Sequence, residues 1–379
     1  MSTNKKRALR DVLLAVAVGV VLLAGGWLMA LHEPRRLVAL QQPETLHPWV
    51  RFVLSALIGG RGTTDSSAIQ IRHIFGGRIV DVSFSPDGKR LAMAVFTESN
   101  GFALKVLDSS TGYQLHTLPN VYRFDGKVSF SADGTQLICP GSQPGQVAFN
   151  EISTGRELKV LSAMADAAYG RWVDFAISLD GKRLATAYGP VKVWDAVSGE
   201  EVLTLKEREA NCLSVAINSD GSLVAAASQS GIILWNGRTG EELSTLEGSS
   251  AYHFIESMEF TADEKRLVAI EGFGVRSAGV LMWDIPSGKR RSPALKGYDG
   301  SGRSSGLALS PDGKQIALES QGKIRIWDIE TGEVALTLRG YGGQVKRLRF
   351  SPDGTRLAAV SFGDKGADIW DVSARLHNK

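Results

Sequence analysis

Histidine decides which chemistry this chain could carry out, because most metal sites and most acid–base sites use it. The 379 residues include six histidines, at His32, His47, His73, His116, His253 and His377. The first two precede the repeated part of the chain, and only His253 lies in a loop of the kind that ligands use. No D-x-D-x-D-G loop, G-x-S-x-G elbow, Walker loop or H-E-x-x-H motif is present. We therefore predict no catalytic residue, no metal and no cofactor, so that the protein is not an enzyme.

Tyrosine shows a second pattern with chemical meaning. Five of the seven tyrosines lie between 9 and 12 residues before the Ser or Thr that opens a repeated turn. With the basic residues of the same loops, the candidate partner-binding rim is Tyr122, Arg123, Tyr169, Arg171, Tyr252, His253, Tyr298, Arg303 and Tyr341. Tyr is favoured at interface hot spots, and Arg makes charge-assisted hydrogen bonds. The alternative is that the tyrosines pack inside the fold; we expect burial for Tyr298 and Tyr341, and exposure for Tyr122 and Tyr252.

A repeated hairpin must position these loops. Its turn has the sequence Ser-Pro-Asp-Gly or a variant, and it occurs seven times, at spacings of 46, 47, 40, 43, 49 and 41 residues. The turn aspartates are Asp87, Asp133, Asp180, Asp220, Asp263, Asp312 and Asp353. Pro presets φ at the first central position of the turn, Asp suits the second, and Gly accepts the positive φ that follows. This period predicts seven four-stranded units, and Glu264, in place of Gly, predicts that the fifth turn is the most strained or most altered.

A second motif, centred on Trp-Asp, follows each hairpin. Its copies are VWDAVSGE from Val193, LWNGRTGE from Leu234, MWDIPSGK from Met282, IWDIETGE from Ile326, IWDVSA from Ile369, and the weaker VLDSSTGY from Val106 and FNEISTGR from Phe149. Across residues 67–373 this pair of motifs resembles the WD-repeat β-propeller family, and the hairpin alone is similar to TolB-type periplasmic propellers. The resemblance implies an all-β, seven-bladed β-propeller, and by itself it is almost silent on function.

The sequence departs from the family pattern in two respects. The Gly-His dipeptide expected before each innermost strand is absent, and Tyr298 and Tyr341 follow Gly in its place in the last two repeats. The family's buried His–Ser/Thr–Asp–Trp network therefore cannot form as a set. Leu107 and Asn150 stand where Trp is usual in the first two repeats, and we expect those blades to be the least regular.

The last repeat has no outer strand of its own, because the chain ends soon after Trp370 and Asp371. Residues 67–73 resemble the missing strand, so we predict that they complete the last blade. Cys139 and Cys212 fall on the second and fourth blades. Since blades that are not neighbours cannot bring Cα atoms within about 7 Å, we expect two buried thiols and no disulfide.

Residues 12–31 are a run of twenty residues without charge. At 1.5 Å per residue a helix of this length spans about 30 Å, the thickness of a bilayer core. The run is longer than the apolar part of a signal peptide, and Leu28 stands where cleavage needs a small residue. We therefore predict one N-terminal transmembrane signal-anchor helix, with a cleaved signal peptide as the alternative. Four basic residues precede the run and three follow it, which favours a cytosolic N-terminus.

The predicted domains follow from these segments. Residues 1–11 form a cytosolic tail, 12–31 the anchor, 32–66 a linker, 67–374 the propeller and 375–379 a C-terminal tail. Within the linker, residues 48–58 begin with Pro and are followed by two glycines, which indicates a short apolar helix. This helix could lie in the membrane interface or pack on the propeller, and the sequence leaves both open.

Charge limits the classes of partner. Residues 65–379 hold 35 Lys and Arg against 37 Asp and Glu, so the large domain has no basic surplus for nucleic acid. We expect a monomeric propeller that is a protein–protein interaction scaffold with an unidentified protein partner. It would be a single-pass protein of a bacterial inner membrane, with the propeller in the periplasm or outside the cell. The alternative is a propeller-type hydrolase or ligand-binding enzyme with an unrecognised site on the loop-rich face.

Overall fold

The computed structural model describes residues 68–373 except for several connecting segments. The segments that it does not describe are residues 73–76, 98–100, 122–126, 164–173, 188, 206–211, 213, 229–230, 247–253, 273–278, 286, 292–294, 299–305, 339–343 and 362–365. The predicted cytosolic tail, the anchor, the whole linker with its short helix, and the C-terminal tail also lie outside the described residues. In the part that is described, no helix is long and apolar enough to cross a membrane.

Twenty-eight strands in this part of the chain form seven four-stranded antiparallel sheets, which are the blades of a β-propeller. The first strand, β1 (Ala68–Arg72), belongs to the last blade. Blade 1 holds β2 (Arg78–Phe84), β3 (Arg90–Thr97), β4 (Gly101–Asp108) and β5 (Gln114–Val121). Blade 2 holds β6 (Ser129–Phe130), β7 (Gln136–Pro140), β8 (Gln146–Glu151) and β9 (Glu157–Ser162). Blade 3 holds β10 (Asp174–Ile177), β11 (Arg183–Ala187), β12 (Val191–Asp195) and β13 (Glu201–Leu205).

The remaining blades follow the same order from the inner strand to the outer strand. Blade 4 holds β14 (Ser214–Ile217), β15 (Leu223–Ser228), β16 (Gly231–Asn236) and β17 (Glu242–Thr245). Blade 5 holds β18 (Phe254–Phe260), β19 (Arg266–Gly272), β20 (Val280–Asp284) and β21 (Arg290–Arg291). Blade 6 holds β22 (Leu307–Leu309), β23 (Gln315–Ser320), β24 (Lys323–Asp328) and β25 (Val334–Leu338). Blade 7 holds β26 (Val345–Phe350), β27 (Arg356–Ser361), β28 (Gly366–Asp371) and β1.

The two ends of the propeller chain meet in blade 7. β1 pairs antiparallel with β28, from Ala68 opposite Trp370 to Arg72 opposite Gly366. The strand that the sequence places before the first hairpin thus lies at the outer edge of the last blade. This pairing completes the four strands of blade 7 and closes the ring with hydrogen bonds between strands.

The repeated turn is held by the serine that opens it. In blade 1 the Ser85 hydroxyl donates to the Asp87 carboxylate (2.5 Å) and accepts from the Arg90 amide (2.9 Å). The Gly88 amide donates to the Ser85 carbonyl, and Gly88 has a φ of +68°. Five other blades repeat the hydroxyl–carboxylate bond, through Ser131, Ser178, Thr261, Ser310 and Ser351. The serine therefore links the turn to the strand that follows it.

The fifth turn keeps this geometry without glycine. Glu264 has a φ of +58°, in the left-handed region that non-glycine residues occupy at a cost of about 1–3 kcal/mol. The prediction that this turn is strained is confirmed. The Glu264 side chain also accepts hydrogen bonds from the hydroxyl and the amide of Ser219 in blade 4, so Glu264 joins two neighbouring turns.

Apolar clusters between neighbouring blades form the core. Each of the seven clusters in the described residues takes side chains from two adjacent blades, as where Ile324 of blade 6 meets Trp370 of blade 7. Leu107, which stands at the position of Trp in blade 1, is fully buried in the cluster between blades 7 and 1. Both cysteines are buried and neither is in a disulfide, and burial raises the pKa of Cys139 to about 12.

Blades 1 and 2 depart from regularity in different ways. Blade 1 has strands of seven and eight residues, but its strand register shifts at three places. Blade 2 has an inner strand of only two residues. Irregularity is also found where the Trp is present, since the outer strand of blade 5 has two residues. The absence of Trp therefore does not by itself mark the least regular blades.

Candidate interaction surfaces

Each blade has two ends, and the candidate rim belongs to one of them. We call the lower face the end where the turns between first and second strands and between third and fourth strands lie. The upper face carries the other connections, including those from one blade to the next. Of the nine candidate rim residues, the structure describes Tyr298. The other eight, Tyr122, Arg123, Tyr169, Arg171, Tyr252, His253, Arg303 and Tyr341, lie outside the described residues.

Tyr298 is half-buried against β24, the third strand of blade 6, and nearby the Lys296 amide donates to the Gly332 carbonyl of the turn between β24 and β25 (2.8 Å). Its ring lies edge-on to Trp327, with 5.8 Å between centroids and an interplanar angle of 88°. It packs against the apolar cluster between blades 5 and 6, and its amide donates to the Leu295 carbonyl (3.1 Å). Trp327 in turn donates its indole N–H to the Lys296 carbonyl (3.0 Å). Part of the tyrosine thus supports the blade, while the role of the rim in binding a partner stays a prediction.

Charged side chains on the inner strands face the axis of the ring. The residue four positions before the turn serine alternates in sign across four consecutive blades: Arg347 in blade 7, Asp81 in blade 1, Lys127 in blade 2 and Asp174 in blade 3. Arg347 Nε lies 3.4 Å from Asp81 Oδ1, and Lys127 Nζ lies 2.6 Å from Asp174 Oδ1. Asp81 is fully buried, and this ion pair together with the hydrogen bond from the Val128 amide offsets the desolvation of its carboxylate.

A third ion pair joins two residues that each lie two positions before the Ser or Thr that opens a turn. Arg349 Nη1 of blade 7 lies 3.6 Å from Glu259 Oε1 of blade 5, so this contact passes in front of blade 6. Desolvation by burial raises the pKa of Glu259, although the charges of Arg349 and Lys127 and the hydrogen bond from the Leu309 amide oppose that rise. The effect of Lys127 on Glu259 brings groups from blades 2 and 5 into one electrostatic network.

Carboxylates also join neighbouring blades directly. Each of four acids accepts a hydrogen bond from the inner-strand amide of the next blade: Val128 donates to Asp81 (2.8 Å), Val215 to Asp174 (3.0 Å), Leu309 to Glu259 (3.1 Å) and Val345 to Glu319 (2.7 Å). Burial raises the pKa of Glu319, and its bond to the amide partly offsets this rise. None of these acids was among the site residues predicted from the sequence, although Asp81 and Asp174 lie at the same offset from their turns.

This arrangement stabilises a ring more readily than it performs chemistry. A reactive site needs converging side chains whose protons or lone pairs remain available to a substrate. Here Asp81, Asp174 and Glu259 each form an ion pair with a basic side chain and accept a hydrogen bond from a backbone amide. Among the residues that the structure describes, no group of three or more His, Cys, Asp or Glu could hold a metal ion.

A remnant of the family's tryptophan network survives in blade 3. The Trp194 indole N–H donates to the hydroxyl of Thr186, which is fully buried (2.9 Å). In blade 4 the register places Ala226 at the equivalent position. The indole N–H of Trp235 is buried there and has no hydrogen-bond partner within the described part of the chain. The two indole N–H groups differ because blade 3 has the Thr186 hydroxyl on its second strand, where blade 4 has Ala226.

Replacing Thr186 with Val is expected to destabilise the propeller by about 1–3 kcal/mol, because it leaves a buried indole N–H unpaired without changing the shape of the side chain. Urea unfolding followed by tryptophan fluorescence would measure this loss. Thr186→Ser keeps the hydroxyl and serves as the matched control. Equal stability of the Val variant and the unchanged protein would contradict the assigned hydrogen bond.

Comparison with known protein families identifies matching repeats. The model of the WD domain, G-beta repeat, matches residues 199–236 and 332–371. The first range runs from the outer strand of blade 3 to Trp235 and Asn236 of blade 4. The second runs from the outer strand of blade 6 to Asp371, so each range contains one hairpin turn and one Trp position.

Known proteins share parts of the ring. WD repeat-containing protein SL1-17 of Schistosoma mansoni is 33% identical over 166 residues, which cover 42% of this chain and 50% of that protein. Autophagy-related protein 16 of Arabidopsis thaliana is 25% identical over 184 residues, 48% of this chain and 34% of that protein. The matches thus span half or less of these relatives' own length.

A solved structure has the same architecture. Hydrazine Synthase of Kuenenia stuttgartiensis aligns with a TM-score of 0.62 and 16% identity, covering 83% of this chain and 99% of that chain. Identity this low shows a common fold and nothing of the reaction. The matched repeats, the WD-repeat relatives and the seven blades support the assignment of this chain to the WD-repeat β-propellers.

Proposed function

We propose that this protein is a membrane-anchored scaffold for protein–protein interaction, whose monomeric propeller lies outside the cytosol. WD-repeat propellers are generally interaction scaffolds, and the observation that supports this role here is the pairing of charges along the axis. The acids and bases that converge there are occupied in joining blades. A ring held in this way presents loops on a rigid support, as binding surfaces commonly do. The proposal assigns the protein no catalytic activity.

The rim is the surface to test for the partner. In the full-length protein solubilised in detergent, a photo-crosslinking residue at position 122 or 252 is expected to capture a protein of defined mass. The matched control is position 116, because His116 is exposed on the outer strand β5, away from the rim. Crosslinks of equal yield at all three positions would contradict a partner site on the rim. Capture at position 116 alone would move the site to the outer wall.

The anchor has its support in the uncharged run of residues 12–31 and in the four basic residues before it. A reporter enzyme that is active only outside the cytosol is expected to be active when fused after Lys379. The same reporter fused after Arg10 is expected to be inactive, which provides the control within one chain. Activity of a cytosol-only reporter after Lys379 would contradict the proposed orientation. In a bacterium this orientation places the propeller in the periplasm or outside the cell, beyond the inner membrane.

A further inference from the structure

The lower face of blade 3 differs from that of the other blades. As in the other six blades, its two turns lie against each other, and here the Ala196 amide of the second turn donates to the Lys182 carbonyl of the first (3.0 Å). Lys159 of blade 2 donates to the carbonyls of Ala196 and Val197 (2.7 and 2.6 Å) and fixes the second turn from the side. We call residues 179–182 and 196–198 the blade 3 tip.

Two large apolar side chains extend from this tip into solvent. Leu179 is 83% exposed and Val197 is 74% exposed, the highest values among the large apolar residues of the described chain. Neither side chain contributes much to the core, so the fold does not account for their presence. Covering two such exposed aliphatic side chains with another apolar surface is favourable, because it removes their area from water.

The same positions in the other blades hold other kinds of residue. At the position of Leu179 they have Pro86, Ala132, Ser219, Ala262, Pro311 and Pro352. At the position of Val197 they have Ser110, Ser153, Arg238, Pro286, Glu330 and Ser373. Blade 3 is thus the one repeat in which a large aliphatic residue occupies both positions, on the same face.

The chain enters the propeller from this same face. β1 begins at Ala68, opposite Trp370, and Trp370 lies near the lower end of β28. The described part of the chain therefore begins at the lower edge of blade 7. The uncharged run ends at residue 31, so thirty-six residues separate it from β1. Fully extended, such a segment could span on the order of 100 Å, so its length sets no obstacle to contact between the lower face and a bilayer.

We propose that the blade 3 tip contacts the membrane surface, with Leu179 and Val197 in the interfacial layer and Lys182 beside lipid phosphates. The Lys182 side chain is 72% exposed, with its Nζ 3.9 Å from the Asp180 carboxylate, and a basic residue next to apolar ones is the composition of an interfacial contact. The second nearby acid, Asp195, is paired with Arg183 (2.8 Å), and both carboxylates also accept hydrogen bonds from the amides of their own turns. This inference rests on the proposed anchor, which raises the local concentration of lipid and makes a two-residue contact sufficient.

Single cysteines can test the contact in the full-length protein. Leu179→Cys and Val197→Cys, labelled with a polarity-sensitive fluorophore, are placed in nanodiscs of phosphatidylcholine and phosphatidylglycerol. Labelling is selective because Cys139 and Cys212 are buried, and the pKa of Cys139 is raised to about 12. Ala132→Cys and Ser153→Cys are matched controls at the equivalent turn positions of blade 2, where both residues are exposed.

The expected result is a shift of emission to shorter wavelength and quenching by spin-labelled lipids at positions 179 and 197, with water-like, unquenched emission at 132 and 153. Water-like emission at all four positions in protein that has entered nanodiscs would overturn the contact and leave the anchor intact. Failure to enter nanodiscs would overturn the anchor, and this inference with it. A shifted but unquenched label at 179 would assign the tip to a protein surface and overturn the assignment to lipid.

Discussion

Removal of residues 1–74 is expected to lower the melting temperature of the propeller on the order of ten degrees, relative to removal of residues 1–64. The longer deletion takes β1 and leaves β2 whole. It uncovers β28, whose Ala367, Ile369 and Trp370 are almost completely buried in the closed ring. An unpaired strand with such side chains also favours aggregation. Scanning calorimetry and size-exclusion chromatography of the two proteins would measure the difference.

The missing strand can be supplied as a separate molecule. A synthetic peptide of residues 65–74, added in excess, is expected to raise the melting temperature of the shorter protein, because it can pair with the exposed edge. A peptide of the same composition in scrambled order is the control. Equal melting temperatures for the two truncated proteins would contradict the contribution assigned to β1.

Replacing Asp81 with Ala is expected to cost about 3–5 kcal/mol of unfolding free energy, because it leaves Arg347 without its buried partner. It also removes the acceptor for the Val128 amide of blade 2. Urea unfolding of the 65–379 protein would measure the loss. A cost no larger than that of Glu200→Ala, at an exposed acid, would contradict the importance of the pair.

Two further variants separate the loss of the hydrogen-bond acceptor from the loss of the ion pair. Asp81→Asn retains an acceptor for Val128, so it is expected to cost less than Asp81→Ala. The double variant Asp81→Ala, Arg347→Met removes both charges, and we expect it to be more stable than Asp81→Ala alone. A double-mutant cycle gives the coupling energy of the two residues directly. If the costs of the two single changes simply add, Asp81 and Arg347 do not stabilise each other.

The fold could be predicted from the sequence because the residues of each hairpin determine its turn through local contacts. Ser85, Asp87 and Gly88 fix the first turn through contacts within a few residues, and the same pattern recurs at a regular period. The closing strand could be placed because residues 67–73 resemble an outer strand that the last repeat lacks. The strain at Glu264 could be predicted for the same local reason, since that turn demands a positive φ.

The charges at the axis could not be interpreted in the same way. A single Asp or Arg in a strand is usually a solvent-facing residue, and the contact of Asp81 with Arg347 exists only when blade 7 lies beside blade 1. The alternation of sign at one offset in four repeats was nevertheless visible. The rim differs again: its loops vary in length from repeat to repeat, so they share no register that would orient a tyrosine. The anchor and eight of the nine rim residues lie outside the described residues and stay predictions.

The pairing of β1 with β28 also sets the order of events during synthesis. β1 is complete at residue 72, and β28 begins at residue 366. At 5–20 residues per second, roughly 15–60 s pass between the appearance of the two strands at the ribosome. The individual hairpins form locally and much faster, in about 1–10 μs. Between these two events β1 is therefore a strand without its partner, and the ring can close only after β28 has been made.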